Sequence, residues 1–95
     1  MNRHYDIFYG SKFKRDLKLA KKRGMDMSKI KAIIDMLKEG IVLPPENRDH
    51  NLVGNWAQYR ECHITPDWLL IYKKEEKISL ITLYRTGTHS ELLEK

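Results

Sequence analysis

The sequence lacks the features that would place it in a membrane or in an oxidising compartment. Its single cysteine, Cys62, has no partner in the chain, which excludes a disulfide-stapled secreted scaffold. No Cys-x-x-Cys or His-x-x-x-His pair occurs, and those are the spacings on which zinc sites are built. No apolar run approaches the length of a bilayer-spanning helix. Met1-Asn2-Arg3-His4-Tyr5-Asp6 has no signal-peptide core. Repeats and low-complexity tracts are missing too. With 95 residues there is room for one domain, 1–95, around a modest core. The expectation is a cytoplasmic protein with no membrane contact, metal or other cofactor.

Charge is present in quantity and is unevenly spread. Hydrophobic residues make up 41% and charged residues 33%, as in ordinary globular proteins, and the net charge is +5. Residues 1–40 carry 11 Lys/Arg against 5 Asp/Glu, whereas residues 41–95 carry 7 against 8. A basic face attracts polyanions by counterion release, and RNA is the commonest such partner for a small cytosolic protein. A lysine-rich solvated helix that only maintains solubility is the plainer alternative.

Residue patterning predicts an α+β sandwich with its helices on one face of the sheet. His4–Tyr9 alternates and reads as a strand. Gly10-Ser11 breaks it, with Ser11 as N-cap of a basic helix to about Arg23, ended by Gly24. Its apolar stripe is thin (Phe13, Leu17, Ala20), and Lys12, Lys14, Arg15, Lys18, Lys21, Lys22 and Arg23 fill the other faces. A second helix starts near Asp26 or Ser28, buries Ile30, Ile33, Ile34 and Leu37 at helical spacing, and stops at Gly40. The proline-bearing segment from Leu43 to Asp49 is a loop that delivers His50. Three strands follow, Trp56–Ile64, Trp68–Lys73 and Ile78–Arg85, joined by short links suited to antiparallel hairpins. Thr86-Gly87 breaks the last strand. Thr88-His89-Ser90-Glu91 has the capping-box form for a short C-terminal helix.

Three histidines sit where the chain changes direction: His50 at a loop end, His63 at a strand end, His89 at a helix start. Asp67 follows the turn after His63, and Arg85 ends the last strand. Metal-free RNA cleavage needs such a set. A base takes the proton of the attacking 2′-hydroxyl, an acid protonates the leaving 5′-oxygen, and a cationic fork steadies the phosphoryl oxygens. Histidine titrates in the right range for both proton steps, arginine fits the fork, and a carboxylate orients an imidazole. Each member also has a duller reading: a hydrogen-bonded turn histidine, a turn-stabilising Asp67, a surface Arg85. Trp56 and Trp68 read first as core, although Trp68, beside Asp67, is also placed to stack an RNA base. A metal site is disfavoured because Cys62 and His63, adjacent on a strand, point to opposite faces.

Ordered blocks carry a family resemblance over nearly the whole chain. They are Asp49-His50-Asn51-Leu52, Gly54-Asn55-Trp56, Tyr59-Arg60-Glu61-Cys62-His63-Ile64, Pro66-Asp67-Trp68-Leu69-Leu70-Ile71-Tyr72 and Arg85-Thr86-Gly87-Thr88-His89-Ser90. This series closely resembles the YafQ branch of the RelE superfamily, toxins of type II toxin–antitoxin modules. The resemblance implies a microbial-ribonuclease-like fold and an endoribonuclease that cuts mRNA in the ribosomal A site. It also implies a cognate antitoxin that blocks the active site, with operator DNA reached only through that antitoxin. The family's catalytic histidines and aspartate match His50, His63, Asp67 and His89, and its phosphate-binding arginine matches Arg85. His89 is then the main proton-transfer residue, with Asp67 tuning a histidine. The basic helix would grip ribosomal RNA or an acidic antitoxin segment. Where the family often has a phenylalanine near the C-terminus, this chain has Leu93. Two non-enzymatic alternatives are a basic RNA- or DNA-binding module and an autoregulatory partner of the antitoxin.

Overall fold

The computed structural model describes residues 3–92, so Leu93 lies outside the described residues. Strand β1 (Asp6–Tyr9) leads into α1 (Ser11–Lys22) and α2 (Met27–Lys38). Then come β2 (His50–Asn51), β3 (Arg60–Thr65), β4 (Trp68–Glu75), β5 (Leu80–Gly87) and the single-turn helix α3 (His89–Leu92). The class is α+β, as the patterning predicts. The sheet is wider than the expected three antiparallel strands. Its order is β1-β5-β4-β3-β2, with β1 parallel to β5 and the remaining pairs antiparallel.

Local chemistry explains where expected boundaries moved. Gly10, not Ser11, caps α1, and it makes no side-chain bond. The β1–β5 ladder runs through it, Gly10 N–H donating to Leu83 O at 3.0 Å, and a Cβ there would stand 2.8 Å from that oxygen. Asp26 caps α2 by accepting from Ser28 N–H. Gly40 follows α2 with φ +72°, a left-handed position where a side chain would strike the Arg3 backbone. Trp56 belongs to a 3₁₀ turn (Gly54–Trp56), so β3 starts only at Arg60. Ile78 likewise ends a 3₁₀ turn and is exposed. Thr86-Gly87 does not break β5: both pair with β4, and the Thr86 hydroxyl donates to Leu69 O at 2.6 Å.

The two sheet faces have different cores. On one, Phe13, Ala20, Ile30, Ile33, Ile34 and Leu37 of α1 and α2 pack on Cys62, Ile64, Trp68, Leu70, Tyr72, Ile81 and Leu83. On the other, Leu69 and Ile71 are sealed by Leu92 of α3 and by Leu52, Trp56, Tyr59 and Tyr84. So α1 and α2 share a face but α3 lies on the opposite one, a correction to the single helical layer expected. Trp68 is 2% exposed in the α1/α2 core, out of reach of an RNA base, and the stacking role expected of it is closed by burial.

Burial also fixes the reactivity of the cysteine. Cys62 is fully buried, and desolvation pushes its thiol far above the ordinary range. A maleimide or disulfide reagent is therefore expected to label the native protein at least about 100-fold more slowly than the unfolded chain, as mass spectrometry of timed aliquots would read.

Candidate active site

Strand register gathers most of the expected residues on the face that α1 and α2 leave free. One row across the sheet reads His50, Glu61, Ile71, Arg85; the next reads His63, Leu69, Gly87. His89 begins α3 one residue beyond the end of β5, and its ring centre lies 5.6 Å from that of His63. His89 Nδ1 is 3.2 Å from Asp67 Oδ1, and both side chains are exposed. The capping box that sets this helix forms as predicted. Glu91 accepts from Thr88 N–H at 3.0 Å, and the Thr88 hydroxyl accepts from Glu91 N–H at 3.3 Å. The Thr88 N–H, and after it Arg23, hold the Glu91 carboxyl below its ordinary range.

Glu61, not anticipated from sequence, sits between two of the histidines. It is 4% exposed. Its Oε1 is 3.3 Å from His50 Nε2 and 3.8 Å from His63 Nε2, and its Oε2 is buried without a partner among the described residues. Each imidazole turns its other nitrogen to a main-chain carbonyl: His50 Nδ1 to Arg48 O at 2.6 Å, His63 Nδ1 to Pro66 O at 3.3 Å. A carbonyl only accepts, so both Nδ1 atoms carry the hydrogen and both Nε2 atoms face the carboxylate. The His50–Glu61 contact is favourable only with a proton between the two atoms. The only sequence signal for Glu61 was its alternation with His63, which puts positions 61 and 63 on one face.

Arg60 secures the short strand that carries His50. Its guanidinium donates to Asn51 Oδ1 at 2.6 Å and to Asp49 Oδ2 at 3.1 Å, the two neighbours of His50. Tyr72 donates to Asp49 at 2.5 Å; burial first, then that bond, pushes its phenol up.

Arg85 is held from α1. Asp16 accepts from Arg85 Nε at 2.6 Å, from Nη2 at 3.2 Å, and from the Thr86 backbone N–H at 3.1 Å. β1 ends at Tyr9, opposite Leu83, so β5 beyond that point has no parallel neighbour and Asp16 takes a ladder donor left over. The pairing with Asp16 raises the Arg85 pKa further. Among the described residues two of its five guanidinium donors are used, and the outer edge remains for an anion. Asp16→Ala is expected to lower stability by about 2–3 kcal/mol, since it orphans a partly buried cation and a backbone donor. Urea denaturation would measure it.

The basic residues of α1 do not form one surface. Lys14, Lys18 and Lys21 border a groove between α1 and α2 together with Lys31 and Lys38, over a floor that includes Leu17, Met27, Ile30 and Ile34. Lys12 instead reaches the histidine-bearing side, its ammonium 5.7 Å from the Tyr84 ring centre. Arg15 and Lys22 are exposed. His4 pairs with Glu39, apart from the other three histidines.

Fold and site together define a small α+β protein whose acid–base residues crowd the face of a mixed sheet that α1 and α2 leave free. The particular family comes from comparison. A family model described as "Bacterial toxin of type II toxin-antitoxin system, YafQ" matches residues 5–94, and the chain belongs to that family. The mRNA interferase toxin YafQ of Escherichia coli is 44% identical over 88 residues, covering 92% of this chain and 94% of that protein. A crystal structure of Escherichia coli YafQ superposes with a TM-score of 0.88 at 41% identity, covering 95% of this chain and 99% of that one. The Escherichia coli DinJ–YafQ toxin–antitoxin complex gives 0.87 at 41% identity, over 96% and 99% of the two chains.

Proposed function

We propose that this chain is an endoribonuclease toxin that cuts translated mRNA on the ribosome without a metal and is neutralised by a cognate antitoxin. The observation that carries the reading is the grouping of His50, Glu61, His63, His89 and Asp67 into one chain of contacts, with Arg85 in the same sheet row as His50 and Glu61. The ribose 2′-hydroxyl attacks the adjacent phosphorus, forming a cyclic phosphate as the bond to the 5′-oxygen breaks. One imidazole takes the hydroxyl proton and another returns a proton to the leaving oxygen. His89, paired with Asp67, is the most exposed of these three histidines and so the most open to substrate. The free edge of Arg85 holds the charged phosphoryl oxygens. Activity as an mRNA interferase is carried over from the Escherichia coli relative, and an antitoxin partner from the DinJ complex. The lysine-bordered groove between α1 and α2 suits an acidic amphipathic segment of such a partner.

Primer extension on a translated message tests this. After induction of the intact protein, cuts at fixed codon positions are expected, and they vanish with His63→Ala and His89→Ala. A message left whole by the intact protein, with translation undisturbed, ends the enzyme reading and favours a binding module.

A further inference from the structure

Next to the histidine row lies a cluster that the proposed chemistry does not use. Trp56, Tyr59 and Tyr84 pack on one another, with ring centres 5.7 Å apart for Trp56–Tyr59, 5.9 Å for Trp56–Tyr84 and 5.0 Å for Tyr59–Tyr84. All three stay partly exposed while Leu69 and Ile71 beneath them are sealed. Two cations share their side of the sheet. Lys12 lies over the Tyr84 ring, and Lys73 shares the sheet face of Leu69 and Ile71, paired with Thr82. Tyr59 stands two residues before Glu61, just ahead of β3, about 7 Å away along an extended chain. The register slips between Ile71 and Tyr72, leaving Tyr84 without a partner opposite and directly before Arg85.

We propose that Trp56, Tyr59 and Tyr84, with Lys12 and Lys73, form a stacking subsite for a base of the single-stranded RNA next to the scissile phosphate. The inference rests on the ribonuclease reading and adds where the substrate is gripped. An aromatic platform bordered by ammonium groups is the usual means of holding a single strand whatever its base, because every base presents a π-face and every nucleotide a phosphate. The separation from the Glu61 row is about one nucleotide step, so a strand whose phosphate meets Arg85 and the histidines brings a neighbouring base onto the rings. A roof needed only to cover Ile71 would be served by aliphatic side chains with no cations beside it.

The test uses a short, uniformly 2′-O-methylated single strand, which cannot attack its own phosphate, and a set of the same strand with one base at a time replaced by an abasic sugar. Binding is read by fluorescence anisotropy. With the intact protein, abasic replacement at one or two adjacent positions is expected to weaken binding roughly 5- to 100-fold, the worth of one stacked base, while other positions change little. Tyr59→Leu/Tyr84→Leu, which keeps an apolar roof, flattens this profile; His89→Gln retains it. Equal binding of all abasic strands by the intact protein overturns the subsite, as does a stepped profile that survives in the double leucine variant. Cutting of a translated message by the same preparation reports separately on the ribonuclease reading. Cutting with a flat profile sinks the subsite alone, and a stepped profile without cutting sinks the ribonuclease reading alone.

Discussion

Replacing His89 by alanine is expected to slow RNA cleavage roughly 10²–10⁴-fold, the worth of one positioned proton-transfer group, or about 3–5 kcal/mol of transition-state stabilisation. The folded protein should hardly notice. His89 is exposed, its partner Asp67 is exposed, and neither belongs to a core cluster. Exposed ion pairs of this kind contribute at most about 1 kcal/mol. The substitution thus separates chemistry from stability: single-turnover cleavage collapses, and the urea midpoint stays within the range of ordinary surface changes. Asp67→Asn should cost less than His89→Ala, because it loosens the imidazole without removing it. A His89→Ala protein that cuts at the normal rate would remove this residue from the reaction.

Much of this geometry was legible in the residues, and what escaped notice did so for identifiable reasons. The periodic apolar positions of α2 and the capping box at Thr88–Glu91 are local signals, and both elements form as the patterning predicts. His50, His63, Asp67 and His89 were visible as functional residue types at chain reversals, and the pairing of β2, β3, β4 and β5 brings them to one end of the sheet. Long-range pairing was not visible. Nothing near Asp6 announces a parallel partner at Leu80, so the width of the sheet was missed. The same blindness concealed Asp16, a lone acid in a basic helix whose purpose appears only when α1 covers the unpaired end of β5. Trp68 failed for another reason. Proximity to Asp67 in sequence suggested a shared surface, but neighbours on or beside a strand point to opposite faces, and Trp68 turns inward. Trp56 and Tyr59, which precede β3, pack instead on the far side of the sheet from Trp68.

Glu61→Gln gives the other large effect. The amide keeps the size of the side chain but can no longer be the anion that two imidazoles face. In the intact protein both Nδ1 hydrogens are committed to Arg48 O and Pro66 O, which leaves both Nε2 atoms aimed at a carboxylate with one buried, unpartnered oxygen. A charge buried at 4% exposure is tolerated only when compensated, and here the compensation is a proton shared with His50 or His63. Without the anion that proton loses its attraction, and Glu61→Gln is expected to lower cleavage about 10²–10⁴-fold, the scale on which an orienting carboxylate matters to a catalytic histidine. Rescue by the conservative variant tells this apart from damage to the fold. Glu61→Asp, which restores the anion on a shorter arm, should recover activity at neutral pH. A Glu61→Gln protein that cuts at the normal rate would show that the buried carboxylate takes no part in proton traffic.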